Sequence, residues 1–143
     1  MVHLITFNCY GTWLPGDERG WIERGRGYRE PNRGLNRYRR EAMKEQPYIL
    51  DMAKAVTVLE AIREVCRFRD WDLIAAHVRT THAHIIVDRL RNADRAIVDF
   101  KSYASRALQR SGCDANKRWS RGASTRPLST PQAVSAAIKY VVD

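Results

Sequence analysis

Two apolar strands in direct succession, "WDLIAAHVRTTHAHIIVDRL" (residues 71–90), decide the fold of this chain. Both halves are rich in aliphatic side chains, and the polar residues 79–81 between them predict that the chain turns back as a β-hairpin. Alternate side chains of a strand share a face. One face of the second strand is therefore apolar and suited to a core, with Ala83, Ile85 and Val87 on it. The other face carries His82 and His84, two groups that are costly to bury unless they are hydrogen-bonded.

The spacing of the two histidines is compatible with a metal site. Side chains two residues apart on a strand are separated by about 7 Å, so both imidazoles can reach one metal ion. The alternative is a pair of exposed or hydrogen-bonded histidines without a ligand, and the spacing alone does not decide between the two. A third histidine, His77, precedes the pair in the chain, and we expect it to be structural.

The segments on either side of the hairpin predict an α+β fold. Besides the hairpin, the predicted elements are a strand within 2–14, a helix over 51–70 capped by Asp51, a helix over 92–110 capped by Asn92, a short strand around 119–126, and a helix over 130–143 begun by Thr130 and Pro131. This order is that of a ferredoxin-like (RRM-like) β-α-β-β-α-β sheet, with helices on one face and an added C-terminal helix. On that layout the other face of the sheet is open, and His82 and His84 lie on it.

Residues 16–50 interrupt this pattern with a basic, Arg/Gly-rich insertion, in what we expect to be a single domain over residues 1–143. Its glycines and prolines predict a mostly irregular segment with at most a short helix near 37–45. A loop this long in a small domain is usually functional or disordered. Arginines that contact phosphates and aromatic rings that stack on bases predict an arm for single-stranded nucleic acid, and a solvated charged loop is the alternative. The residues concerned are Arg24, Arg26, Arg29, Arg33, Arg37, Arg39 and Arg40, with Trp21, Tyr28 and Tyr38 between them.

The charge of the chain indicates a polyanionic partner. Its 143 residues include 25 Lys and Arg against 16 Asp and Glu, a net charge of +9, and 20 of the 25 cations are arginine. The planar guanidinium of arginine matches phosphate oxygens and base edges better than the ammonium of lysine does. Nucleic acid is therefore the first candidate partner, and a basic surface that only keeps the protein in solution is the alternative.

Cysteine usage and hydropathy favour a cytoplasmic protein. The three cysteines, Cys9, Cys66 and Cys113, lie far apart in the chain, which supports neither a disulfide framework nor a zinc ribbon. The first residues lack the cationic and apolar regions of a signal peptide, and no stretch has the length and apolar character of a membrane span. We expect no membrane contact.

Four segments, in this order, resemble the single-tyrosine HUH transposases, which include the IS-two-hundred-like transposases and the REP-associated tyrosine transposases. "HLITFNCYGTWLPGDERGW" is similar to the opening strand and turn of the family, and "HVRTTHAHIIVD" to its hairpin with a His-hydrophobic-His motif, here with Ala83 in the middle. "FKSYASRAL" resembles the helix that follows the motif. "WSRGASTRPLSTPQAVSAAIKYVVD" resembles the closing segment, whose helix carries the nucleophilic tyrosine.

The resemblance implies an enzyme that cleaves and rejoins single-stranded DNA. It assigns His82 and His84 as ligands of a divalent metal, Mg²⁺ or Mn²⁺, and Tyr140 as the nucleophile. In the family the tyrosine attacks a DNA phosphate, which leaves a 5′-phosphotyrosine bond and a free 3′-hydroxyl, and a second strand end later reverses the bond. The implied partner is single-stranded or hairpin DNA. The family includes homodimers, so the resemblance also allows a dimer.

The closing helix departs from the family pattern in one respect. The family carries a further metal ligand, often Gln, about one turn after the tyrosine, whereas this sequence ends at Asp143. Asp143 could substitute as the ligand, the ligand could lie beyond the given sequence, or the site could be impaired.

Tyr140 lies off the apolar stripe of its helix (Val134, Ala137, Ile138 and Val141). Tyr103, on the preceding helix, is the competing nucleophile, and helical periodicity alone does not separate the two tyrosines.

Two other function classes fit the residues less well. The first is a non-catalytic module that binds single-stranded nucleic acid on an RRM-like sheet, although such sheets usually present aromatic side chains where this strand has His82 and His84. The second is a metal-dependent phosphoesterase that acts on small nucleotides. Such an enzyme would need neither Tyr140 nor the basic insertion.

Overall fold

The computed structural model describes residues 1–23 and 27–142, with only the backbone given for Ile22 and Glu23. Its elements, in chain order, are β1 (Val2–Asn8), β2 (Trp21–Glu23), β3 (Gly27–Arg29), α1 (Arg33–Glu41), α2 (Met52–Arg69), β4 (Asp72–Val78), β5 (His82–Asp88), α3 (Ala93–Arg110), β6 (Ser124–Leu128) and α4 (Pro131–Val142). This mixture of helices and strands confirms the predicted α+β class. Among the described helices, none has the length and apolar character that crossing a bilayer requires.

Four of the described strands form one antiparallel sheet in the order β4-β5-β1-β6. The predicted hairpin is its β4–β5 pair, closed where the backbone N–H of Arg79 donates to the carbonyl oxygen of His82 at 2.8 Å. The central strand β1 pairs with β5 on one side and with β6 on the other. This sheet order places residues from β1, β4 and β5 side by side around His84.

Capping side chains begin the three long helices where the sequence predicts. Asp51, Asn92 and Thr130 each accept a hydrogen bond from the backbone N–H three residues later, at 2.9, 3.1 and 3.0 Å. Such a bond satisfies one of the backbone donors that a helix leaves unpaired at its first turn. The starts of α2, α3 and α4 are therefore local properties of the sequence.

The main core fills the space between one face of the sheet and the pair α2 and α3. The β5 residues predicted for this core face, Ala83, Ile85 and Val87, are at most 1% exposed. Phe7 of β1 and Phe100 of α3 are fully buried in the same cluster. Trp119 packs edge-on against Phe7, with ring centroids 5.1 Å apart, and its indole N–H donates to Ser105 Oγ at 2.8 Å.

The opposite face of the sheet is covered, and the prediction of an open face was wrong. Helix α4 packs across it and forms a second apolar cluster with the sheet. The buried members of this cluster are Leu4, Ile86, Leu128, Ala137 and Val141. The physical reason is that β1, β5 and β6 each present an aliphatic side chain on this face, which gives the apolar stripe of α4 a surface on which to bury itself.

The insertion contains more regular structure than predicted. Strands β2 and β3 pair with each other, and α1 begins at Arg33, earlier than the helix predicted near 37–45. Asn32 caps α1 by accepting from the backbone N–H of Leu35 at 3.0 Å. Its own backbone N–H donates to the Gly16 carbonyl oxygen at 3.0 Å, which ties α1 to the start of the insertion. Arg24 and Arg26, two of the predicted arm residues, lie outside the described residues.

The short strand before the last helix lies later than predicted. We expected it around 119–126, whereas β6 covers Ser124–Leu128 and Trp119 makes only an isolated bridge with Cys9. Leu128, opposite Val2, is the buried residue of β6 and anchors its register. Pro127 is tolerated because β6 is an edge strand, where a missing N–H donor costs no ladder bond.

Truncating Ile86 will test the second cluster. Ile86 is fully buried under α4, so Ile86→Ala should lower the free energy of unfolding by about 2–5 kcal/mol. Ile49→Ala is the matched control, because Ile49 is 47% exposed and should cost less than about 1 kcal/mol. Urea unfolding measures both changes, and hydrogen exchange should show faster exchange of the α4 amides in Ile86→Ala. Equal costs for the two variants would contradict the packing of α4 on this face.

Candidate functional site

The two predicted histidines lie side by side on β5. Their ring centroids are 4.7 Å apart, and the ring planes are inclined at 72°. In the sheet, His84 stands opposite Thr6 of β1 and His77 of β4, and His82 stands opposite Asn8 of β1. Directly opposite residues of an antiparallel pair share a face, so these side chains surround the pair on the face that α4 covers.

Each imidazole is held at Nδ1 by a threonine hydroxyl. Thr6 Oγ1 lies 2.8 Å from Nδ1 of His84, and Thr81 Oγ1 lies 3.0 Å from Nδ1 of His82. When the proton is on Nδ1, that nitrogen donates to the threonine oxygen, and Nε2 keeps its lone pair for a ligand. Such partners at the second nitrogen are typical of metal-binding histidines, because they set the tautomer and the ring orientation.

The surroundings keep both imidazoles neutral. Burial under α4 lowers the pKa of His84 from its ordinary 6.5 to about 4, and the positive charge of Arg79 acts in the same direction. Burial also lowers the pKa of His82, helped by the charges of Arg79 and Arg19. A neutral imidazole is the form that binds a metal ion, so no proton has to be displaced from either ring near pH 7.

Helix α4 brings Tyr140 to the histidine pair. The Tyr140 ring centroid lies 5.4 Å from that of His84, at an interplanar angle of 64°, and Tyr140 is 63% exposed. The next residue, Val141, is fully buried against the sheet, so the packing of α4 directs the phenol. The three residues that the resemblance assigns to the site therefore meet within one chain.

His77, which we expected to be structural, binds the end of α4. Its Nδ1–H donates to the carbonyl oxygen of Val141 at 2.8 Å, in the last turn of α4. Such a carbonyl has no partner within the helix, so the bond satisfies a group that α4 leaves unpaired. This bond ties the end of the tyrosine helix to β4.

Tyr103, the competing nucleophile, lies on the other side of the sheet. It belongs to α3 and packs against the main core, and the guanidinium of Arg106 lies 4.8 Å from its ring centroid. The structure therefore does not bring Tyr103 to His82 and His84, a separation that helical periodicity could not make.

The described residues would provide two of the ligands that a metal ion needs. Within residues 1–23 and 27–142 there is no group of three or more His, Cys, Asp or Glu side chains placed to hold a metal ion. The pair His82 and His84 fits a divalent cation in its chemistry, because both rings are neutral and anchored at Nδ1. Asp143, the predicted substitute for a third ligand, lies outside the described residues.

The start of the insertion lies beside His82. Arg19 stacks on the indole of Trp13, with its guanidinium carbon 3.9 Å from the ring centroid. Asp17 binds the same guanidinium through both carboxylate oxygens, at 2.7 and 2.8 Å, and these hydrogen bonds hold the pKa of the Asp17 carboxyl below its usual range. Thr12 Oγ1 donates to the Cys9 carbonyl oxygen at 2.7 Å and steadies the turn before this group.

Several residues of the site carry no signal in the sequence. Thr6 is 78 positions from His84 in the chain, and nothing near it marks it as a partner of an imidazole. The cation Arg79 and the tie between His77 and Val141 likewise depend on strand register and helix docking. Only the tertiary structure identifies these three contributions.

Comparison with known proteins supports the fold. No family model matches the sequence, and no curated protein matches it. A solved structure, that of a REP-associated tyrosine transposase bound to a REP hairpin, matches with a TM-score of 0.59 and 12% sequence identity. The match covers 98% of this chain and 63% of that one, so this chain spans under two thirds of that protein. At this identity the likeness shows a common fold.

Acid should destabilise the protein through His84. The native pKa of about 4 lies below the unfolded value of 6.5, so between these values the unfolded state binds a proton that the native state does not. In EDTA, the free energy of unfolding should fall as pH drops from about 6.5 to about 4, by up to about 1.4 kcal/mol per pH unit from this residue. Urea unfolding of wild type and His84→Gln measures this, and the variant should have the shallower slope. Parallel curves would show that His84 is not held neutral.

Proposed function

We propose that this protein is a transposase-like enzyme of the single-tyrosine HUH kind, which cleaves and rejoins single-stranded DNA through a 5′-phosphotyrosine. The observation that carries the proposal is the contact of Tyr140, from the last helix, with the His82 and His84 pair, from the sheet. The strand order β4-β5-β1-β6 supports a ferredoxin-like arrangement, in a single domain of residues 1–143 with a basic insertion at about 16–50.

In this proposal Tyr140 is the nucleophile. A neutral phenol attacks weakly until it loses its proton, so it depends on its surroundings for activation. Tyr140 is exposed, which leaves its phenol accessible to a DNA strand. In the proposed step a bond forms from the tyrosine oxygen to phosphorus and the bond from phosphorus to the 3′ oxygen breaks. The phenol loses a proton and the leaving 3′ oxygen gains one. Because one phosphodiester bond replaces another, no external energy is required.

The resealing step is the reverse reaction with a second strand end. Its 3′-hydroxyl attacks the phosphotyrosine, and Tyr140 is released with its proton.

His82 and His84 would hold the divalent cation. Imidazole ligands suit Mn²⁺ better than Mg²⁺. When bound, such a cation supplies Lewis-acid stabilisation of the charge on the phosphoryl and leaving oxygens.

The basic insertion is the proposed DNA-binding arm. Helix α1 buries none of its residues, and Arg33, Arg37 and Arg40 recur at the spacing of one helix face. The aromatic rings of Tyr28 and Tyr38 are 58% and 67% exposed, which leaves them available for base stacking. The structural neighbour is described as bound to a REP hairpin, and single-stranded or hairpin DNA is the partner that we propose here.

One observation favours the second candidate, a non-catalytic module for single-stranded nucleic acid. The described residues provide no group of three metal-binding side chains, so the cation would depend on ligands from elsewhere. A phosphoesterase is the third candidate, and the contact of Tyr140 with His84 speaks against it, because such an enzyme needs no tyrosine there.

We expect a cytoplasmic protein. A homodimer is compatible with the proposal but not required, since one chain brings the phenol and imidazoles together.

Trapping a covalent adduct will separate the three candidates. Protein is incubated with Mn²⁺ and a pool of labelled single-stranded DNA hairpins with randomised flanks, and then denatured. We expect a labelled protein band that is abolished in Tyr140→Phe, reduced at least about 100-fold in His82→Ala, and kept in the matched control Tyr103→Phe.

Each other outcome identifies a competing function. DNA binding without an adduct supports the non-catalytic module. Metal-dependent hydrolysis that persists in Tyr140→Phe supports the phosphoesterase. An adduct lost in Tyr103→Phe but kept in Tyr140→Phe would overturn the assignment of the nucleophile.

The salt dependence of DNA binding will test the arm. Phosphate contacts release counterions, so the logarithm of the affinity should fall linearly with that of salt, by a slope of about 0.7 for each contact to a single strand. Arg37→Ala with Arg40→Ala should reduce the slope by about 1.4, measured by fluorescence anisotropy in EDTA. The control is Arg63→Ala with Arg67→Ala, which removes the same charge from exposed positions of α2, on the other side of the sheet. A slope that does not differ between the two double variants would exclude a specific role of α1.

A further inference from the structure

The turn between β4 and β5 places an arginine next to the histidine pair. Arg79 follows the last residue of β4, and the register Val78↔Ala83 sets it opposite His82. The backbone hydrogen bond from Arg79 N–H to His82 O, 2.8 Å, confirms this pairing. Opposite residues in an antiparallel pair have Cβ atoms about 4.5–5.5 Å apart on one face. Arg79 thus lies on the side of the sheet that carries His84 and Tyr140.

The guanidinium of Arg79 has an unused donor. Its Nε is buried and has no hydrogen-bond partner among the residues that the structure describes. The ion pairs found between described residues also do not include Arg79. A guanidinium keeps its charge at any ordinary pH, and a buried charged donor without a partner is costly. The nearby Arg19 differs, because Asp17 binds it through both oxygens.

The surroundings of this donor suit an anion. The guanidinium groups of Arg79 and Arg19 both act on His82, and both are positive. The exposed phenol of Tyr140 is the nucleophile proposed above. A phosphate in front of this phenol would meet the guanidinium on the β4–β5 side. Two parallel N–H groups of a guanidinium match two oxygens of a phosphate.

We propose that Arg79 binds the DNA phosphate that Tyr140 attacks. The terminal N–H groups of its half-buried guanidinium donate to the non-bridging oxygens, which orients phosphorus towards the phenol and stabilises the charge that gathers there during the attack. The inference rests on the proposed function for the identity of the anion. It assigns a role to a residue of the turn, outside the tyrosine and the two histidines.

The first test measures binding without chemistry. The probe is a fluorescein-labelled pool of single-stranded DNA hairpins, titrated by anisotropy in EDTA at several salt concentrations. Arg79→Gln should weaken binding about tenfold and lower the salt slope by about 0.7. Arg79→Lys should fall between wild type and Arg79→Gln, because it keeps the charge and loses the planar fork. The matched control is Arg63→Gln on α2, which should stay within about twofold of wild type.

The second test measures the reaction and the fold. With Mn²⁺ and saturating DNA, the rate of adduct formation should fall at least about 100-fold in Arg79→Gln and should not change in Arg63→Gln. The melting temperature of the free protein should not fall in Arg79→Gln, since the substitution removes an unpaired donor. A structural arginine would give the opposite pattern, a melting temperature lower by several degrees with the salt slope unchanged, and that result would overturn the inference.

The outcomes separate this inference from the proposed function. If wild type forms the adduct and Arg79→Gln matches Arg63→Gln in affinity and rate, the inference fails and the proposed function stands. If wild type binds DNA without forming an adduct, and Arg79→Gln lowers affinity and slope, the cleavage function fails and the phosphate site stands. If wild type does not bind the hairpin pool at all, both fail.

Discussion

The docking of α4 on the second face of the sheet is the interaction on which the candidate site depends. Ala137 and Val141 bury themselves against Leu4, Ile86 and Leu128, and this burial is worth about 25 cal/mol for each Å² of apolar surface removed from water. Because consecutive helical residues are separated by about 100° around the axis, burying Val141 leaves Tyr140 at the margin of the interface. The phenol therefore contacts His84 while it stays exposed to an incoming strand.

The same packing also determines the chemistry of the imidazoles. With α4 in place His84 is 7% exposed, and its neutral form is favoured because burial penalises the charged form. Thr6 satisfies Nδ1, which avoids the cost of a buried polar atom without a partner. One apolar interface thus positions the proposed nucleophile, leaves it exposed and desolvates a proposed metal ligand. A change in the docking of α4 would alter all three properties together.

Positive side chains lie both on α1 and beside the histidine pair. The exposed arginines of α1 offer long-range attraction, which salt screens, and Arg79 offers a contact next to the histidines. Between them, the bidentate pair of Asp17 and Arg19 neutralises part of the charge and gives the start of the insertion a definite shape. The described part of the chain thus has exposed arginines on α1 and, beside the histidines, Arg79, whose Nε has no partner among the described residues.

The sequence by itself determined the local structure. Asp51, Asn92 and Thr130 begin their helices through bonds that reach three residues along the chain, and the β4–β5 hairpin follows from two apolar strands with a polar turn between them. The alternation within β5 separated the face towards the main core from the histidine face. Only the tertiary structure decided that α4 covers that second face, that Tyr140 rather than Tyr103 lies beside His84, and that β6 has its register at Leu128. The physical reason is the distance along the chain over which each interaction acts. Capping bonds and side-chain alternation act between neighbours in the chain. The face on which a helix is buried depends instead on aliphatic side chains from strands that are distant in the sequence.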